Sequence, residues 1–142
     1  MLREMLTYRA SLPRGLGAVR RARRALIDFA AQCGFDNGVL ADVESAAGEA
    51  LANAVEHGDC AEGVDVMATF DGVRLVIEVK DHGIGFDCGP ALERANAPDT
   101  SGNRGFGIFL MRTLMDEVAY SDCGSRIQLV KRLGARASVA AL

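Results

Sequence analysis

One stretch limits the folds open to this chain more than any other. Residues 64 to 79 read VDVMATF, then DG, then VRLVIEV: two runs of alternating character joined by Asp71 and Gly72. An Asp-Gly pair between such runs predicts a β-hairpin with a two-residue type I′ loop. That loop would set Phe70 opposite Val73, Ala68 opposite Leu75, Val66 opposite Ile77 and Val64 opposite Val79, all of them apolar pairs. The other face would set Thr69 against Arg74 and Asp65 against Glu78. A sheet that is apolar on one side and polar on the other needs cover on a single face, and helices must supply it.

The rest of the chain offers those helices. From Gly17 to Gly34 the apolar residues Val19, Leu26, Phe29, Ala30 and Cys33 recur near helical period, and Gly34 supplies a stop. Asp36 or Asn37 can cap a second helix running to about Glu56, with Gly58 just beyond it. FGIFLMRTLMDEV predicts a third helix with Ile108, Met111, Leu114 and Met115 toward the core. Residues 2 to 10 read as an edge strand, while EVAYSD and SRIQLVKRL form a closing hairpin around Cys123 and Gly124. Between Asp81 and Gly107 lies a long segment rich in Gly, Pro, Asn and Asp, the composition of a functional or mobile loop. The 142 residues fit one domain, with a core from about 5 to 133 and a tail, 134 to 142, that gives too little signal to assign.

Charge and composition exclude some functions. A net charge of −3 sets up no overall field toward nucleic acid or an anionic membrane, so direct binding to either is not expected. Basic residues concentrate only at Arg20, Arg21, Arg23 and Arg24, which form either a solvated helix face or a site for an acidic partner. No run of 18 apolar residues exists, and charges interrupt the N-terminus where a signal peptide needs an apolar stretch, which points to the cytoplasm. The four cysteines form no CxxC pair; free thiols rather than a zinc site are expected.

Three clusters hold residues with chemistry. On the second helix Glu49, Asn53 and His57 recur every four residues; Asp42, Glu49, Asn53 and Glu56 share a polar arc, with His57 at its edge, separate from the arc formed by Leu40, Val43, Ala47, Ala50, Leu51 and Ala54. A carboxamide one turn from a carboxylate can ligate a hard cation while the carboxylate takes a proton, although such residues are also commonplace on an exposed helix face. At the end of the predicted strand, Asp81 precedes Gly83 and Gly85 in a DxGxG pattern. An ionised Asp is a pure acceptor suited to an amino group, and the glycines let backbone approach a flat ring, unless this is simply a glycine turn. Finally Arg104, Gly105, Phe106 and Gly107 stand at the entry to the predicted third helix, where free amides and the helix dipole favour phosphate, or where the chain merely enters the helix. No Walker loop is present, since the only lysines are Lys80 and Lys131.

The order E-x3-N-x3-H, DxGxG, then RGxG before a helix ending TLMDEVAY resembles the GHKL family of ATP-binding domains. Within it, the chain is most similar to the stand-alone anti-sigma-factor serine kinases of bacterial partner-switching systems, from about residue 5 to residue 133. The resemblance implies an α/β, two-layer sandwich with a mostly antiparallel mixed sheet and helices on one face, the histidine-kinase-like ATPase fold. It implies Asn53 as the ligand of Mg²⁺ and Glu49 as the general base on the hydroxyl that receives phosphate. Asp81 would accept from the adenine amino group, Gly83 and Gly85 would shape the nucleotide floor, and Gly105 and Gly107, with Phe106 between them and Arg104 beside them, would contact the phosphates of ATP. The segment from Phe86 to Arg104 would be the lid. His57 either contacts the phosphates or closes the helix end, and both roles stay open.

The implied activity is phosphorylation of a STAS-type anti-anti-sigma protein by Mg-ATP, with sequestration of a sigma factor as the alternative complex and a homodimer as the assembly often seen in such relatives. A sensor histidine kinase is disfavoured, because the only histidines, His57 and His82, lie inside the nucleotide motifs. The competing reading is a regulatory module that binds ATP and a partner without phosphoryl transfer. Glu49 separates the two, since a module without catalysis has no chemical need of it.

Overall fold

The computed structural model describes residues 5–13, 16–57, 63–81, 103–121 and 125–133. Along the chain run β1 (Leu6–Leu12), α1 (Leu16–Gln32), α2 (Asn37–His57), β2 (Val64–Phe70), β3 (Arg74–Asp81), α3 (Asn103–Leu114), β4 (Glu117–Ser121) and β5 (Arg126–Arg132). The strands form one sheet in the order β1-β2-β3-β5-β4. Every pairing among the described strands is antiparallel, so the mixed character expected of the sheet is not seen in these residues.

One face of this sheet is dry. Val64, Val66, Ala68 and Phe70 alternate with more exposed residues on β2, as do Leu75, Ile77 and Val79 on β3, and all are buried. α2 packs on β3 and β5 over this face, and α1 packs on β1 and α2. Val43, Ala46, Ala47, Ala50, Leu51 and Ala54 form the seam of α2 that fills the space between the layers. Alanine at most of these positions lets helix and sheet approach closely, and the larger Leu51, fully buried, contributes about 1.5–3 kcal/mol by its own burial. The opposite face holds ion pairs, Glu78 with Arg126 at 3.4 Å and Glu117 with both Arg74 and Arg132.

The central hairpin forms, but its register is offset by two residues from the one expected. Phe70 pairs with Leu75, Ala68 with Ile77, Val66 with Val79 and Val64 with Asp81. The turn therefore falls on Gly72 and Val73, with the Asp71 amide donating to the Arg74 carbonyl at 3.4 Å. The reason lies in the Asp71 side chain, whose Oδ1 accepts from the amides of Val73 at 2.9 Å and Arg74 at 2.7 Å. That places Asp71 before the turn and Gly72, at φ 97°, in its first position, where a left-handed backbone is needed. Because strand faces repeat every two residues, the offset leaves the same side chains inside.

α2 begins as expected: the Val39 amide donates to Asp36 Oδ1 at 2.9 Å, an N-cap. α3 departs from expectation. It starts at Asn103 rather than Phe106 and ends at Leu114, so Arg104 and Gly105 join Phe106 and Gly107 inside its first turns. Asn is at home near a helix start, and packing of α3 on α2 outweighs the weak helix propensity of two glycines. At its other end, Lys131 Nζ donates to the Leu114 carbonyl at 2.6 Å, a cation placed on the negative end of the helix. Among the described residues, no helix is long and apolar enough to cross a membrane. Cys33 is a free core thiol, and burial pushes its pKa up to about 11, so it stays protonated and unreactive.

Candidate nucleotide site

α2 positions the first two site residues. Turning α2 by about 100° per residue sets Glu49 and Asn53 one turn apart on an arc away from the buried seam. Both are half-buried, because α3 packs beside that arc. Glu49 lies directly against Gly107 of α3: a Cβ built on that glycine would stand 3.0 Å from Glu49 Cδ and 3.1 Å from Cγ, and would collide with Oε1. Two segments far apart in sequence, E-x3-N and RGxG, thus meet through a carboxylate on a glycine.

Asn53 has an orphaned polar atom. Its Nδ2 is buried with no hydrogen-bond partner, which is costly for an amide unless something else reaches it. An amide group turned by 180° exchanges nitrogen for oxygen at that point, so the same place can present Oδ1 to a cation. Among the described residues no three of His, Cys, Asp and Glu cluster as metal ligands. A single side-chain oxygen completed by phosphates and water suits Mg²⁺, and Asn53 fits that role.

Asp81 closes β3. It is 8% exposed and lies in register opposite Val64, on the same face as Val79 and Ile77, which is the face covered by helices. Its amide donates to the Ser125 carbonyl at 2.8 Å, tying the strand end to the start of β5. Because β2 starts at Val64 soon after α2 ends at His57, Asp81 stands at the end of the sheet where the chain arrives from α2. A carboxylate is seldom this buried unless it is paired. The shallow depression lined by Arg9, Ser11, Asp65, Met67, Glu78 and Lys80 is on the polar face, away from these residues.

The remaining expected residues are placed in part. His57 is the last residue of α2, and Arg104, Gly105 and Phe106 belong to the first turns of α3; the side chains of these residues lie outside the described set. Gly83, Gly85 and most of the expected lid, from Phe86 onward, fall outside the described residues altogether. The Ser125 carbonyl was not foreseen as a partner of Asp81, since nothing in SRIQLVKRL marks its first residue as buried.

The chain is 33% identical over 122 residues to the Bacillus licheniformis Serine-protein kinase RsbW, covering 78% of this chain and 76% of that protein. It is 30% identical over 131 residues to the Anti-sigma F factor of Pasteuria penetrans, covering 84% and 85% of the two chains. Among solved structures, its fold is like that of a crystal structure of the RsbU and RsbW domains of a Mycobacterium tuberculosis protein, with a TM-score of 0.61 at 19% identity. That likeness covers 89% of this chain and 32% of the larger one, and it shows the fold alone. Residues 12–131, spanning Glu49, Asn53, Asp81 and Gly107, match the family described as Histidine kinase-like ATPase domain, and the chain belongs to that family.

Proposed function

We propose that this protein is an ATP-dependent serine/threonine-protein kinase of the anti-sigma type, acting in the cytoplasm on a STAS-type anti-anti-sigma protein and holding a sigma factor in its alternative complex. Membership of an ATPase family brings ATP with it, and relatives named as a serine-protein kinase and as an anti-sigma factor support both halves of the reading. The observation that carries it is the Glu49 carboxylate lying at the head of α3 with Asn53 one turn along the same helix.

In this proposal Asp81 accepts a hydrogen bond from the adenine amino group and fixes the base. Glycines at 83 and 85 form the floor beside it, and Arg104 with the amides at the start of α3 neutralises and holds the phosphates. The γ-phosphorus gains a bond to the substrate hydroxyl oxygen as its bond to the β,γ-bridging oxygen breaks; ADP departs with that electron pair. Glu49 takes the hydroxyl proton. Phosphoryl transfer asks mainly for alignment and charge neutralisation, and a carboxylate on a packed helix supplies the alignment. Mg²⁺, held by Asn53, would neutralise charge developing on the phosphate oxygens.

The test mixes purified protein, Mg²⁺, ATP labelled at the γ-phosphate and a STAS-domain partner. Label should pass to a serine or threonine of the partner. ATP bound tightly with no label passed would leave the protein as a nucleotide-dependent binding module instead.

A further inference from the structure

We propose that Gly107 is a positioning residue for Glu49: the side chain it lacks leaves the space in which the Glu49 carboxylate lies, so α3 sets where the base stands. This rests on the reading of Glu49 as general base and assigns the glycine a role other than phosphate contact.

Three observations support it. First, the contact is with the whole end of the side chain, since a Cβ at position 107 would stand 3.1 Å from Cγ and 3.0 Å from Cδ and would overlap Oε1. Second, conformation does not require glycine there. The glycines with positive φ are Gly34, Gly63 and Gly72 among the described residues, whereas Gly107 lies within a regular helix that alanine would favour. What excludes a side chain is the space given to Glu49. Third, in a helix that starts at Asn103 the unpaired amides end near Gly105, so the amide of Gly107 belongs to the helix ladder and is not free to hold phosphate.

The glutamate has to yield rather than the backbone. Ala46, Ala47 and Ala50 hold α2 against the layer beneath and the fully buried Ile108 and Met111 hold α3, so neither helix can back away freely, while the end of a glutamate side chain can rotate. Gly107→Ala therefore redirects the carboxylate at little cost in stability.

The experiment compares wild type, Gly107→Ala, Glu49→Asp and the double variant in three readouts: phosphoryl transfer to a STAS partner, ATP affinity, and the carboxyl resonance of Glu49 in protein labelled with ¹³C-glutamate, assigned through Glu49→Gln. Gly107→Ala should slow transfer by roughly tenfold or more, as misplacement of a reacting group does, with ATP affinity held within about threefold. The Glu49 resonance should shift. The shorter Asp should recover part of the loss, so that the double variant transfers faster than Gly107→Ala alone. Equal losses in affinity and transfer would overturn the proposal and return Gly107 to the phosphates; so would an unmoved Glu49 resonance. If wild type transfers nothing yet the resonance moves, the positioning role stands and the kinase reading fails. Should Gly107→Ala not fold, folding regained with Glu49→Asp supports the steric conflict, and failure of both overturns it.

Discussion

Asn53 and Asp81 do different work in the proposed site, and single substitutions separate them. Asp81 is buried at a strand end, so its partner is lost outright when the carboxylate goes. Asp81→Ala should weaken ATP binding by at least about tenfold, close to 1.4 kcal/mol, and should blunt the preference for adenine over guanine nucleotides, measured by competition titration. Asn53 Nδ2 is buried without a hydrogen-bond partner, so removing the amide relieves an unsatisfied group while deleting the proposed cation ligand. Asn53→Ala should leave thermal stability unchanged or slightly raised in the absence of nucleotide, and should abolish the Mg²⁺ dependence of ATP binding. A marked loss of apo stability would contradict that. At this scale the sequence was informative about Glu49, Asn53 and Asp81, because each sits in a spaced motif on a periodic element. The Glu49–Gly107 contact was not legible, since which residue a helix glycine faces is set by how two helices pack and no local pattern encodes it.

The elements were legible in kind and less so in their ends. Helix and strand periods, the Asp36 cap and the one-sided sheet followed from the residues, whereas the hairpin register and the start of α3 did not. In the hairpin, the Asp-Gly pattern makes Asp71 a loop residue, whereas its carboxylate accepts two amides from the turn, a side-chain choice that competes with the type I′ pattern. That choice has a pH signature. The backbone amide of Arg74, then that of Val73, holds the Asp71 carboxyl below its ordinary value of 3.8. A lowered native value means the contribution is present above the unfolded carboxylate range and is lost as pH falls through the native value. Hydrogen exchange of the Val73 and Arg74 amides should therefore show protection at neutral pH that declines below about pH 4, and Asp71→Ala should erase the difference. Protection unchanged down to pH 2 would count against the Asp71 bonds.

For the whole molecule, the layer arrangement leaves α1 on the outside with Arg20, Arg21 and Arg24 exposed and Arg23 4.0 Å from Glu44 of α2. These arginines line a shallow depression with Ile27 and Asp28 of α1 and Glu44 of α2. We expect the acidic side of a protein partner to dock there. Arg20→Glu with Arg24→Glu should slow partner association and remove its salt dependence without altering ATP affinity, as surface plasmon resonance at two ionic strengths would read. Unchanged association would discard this surface. Partner identity was beyond the reach of the sequence, because a binding face is composed of exposed residues that folding leaves unconstrained. Whether Glu49 is the proton acceptor is decided by paired measurements on Glu49→Gln. With ATP affinity within about threefold of wild type, phosphoryl transfer to a STAS partner should fall by at least roughly 100-fold, the range of general base catalysis; transfer near the wild-type rate, or a parallel collapse of ATP binding, would contradict the account.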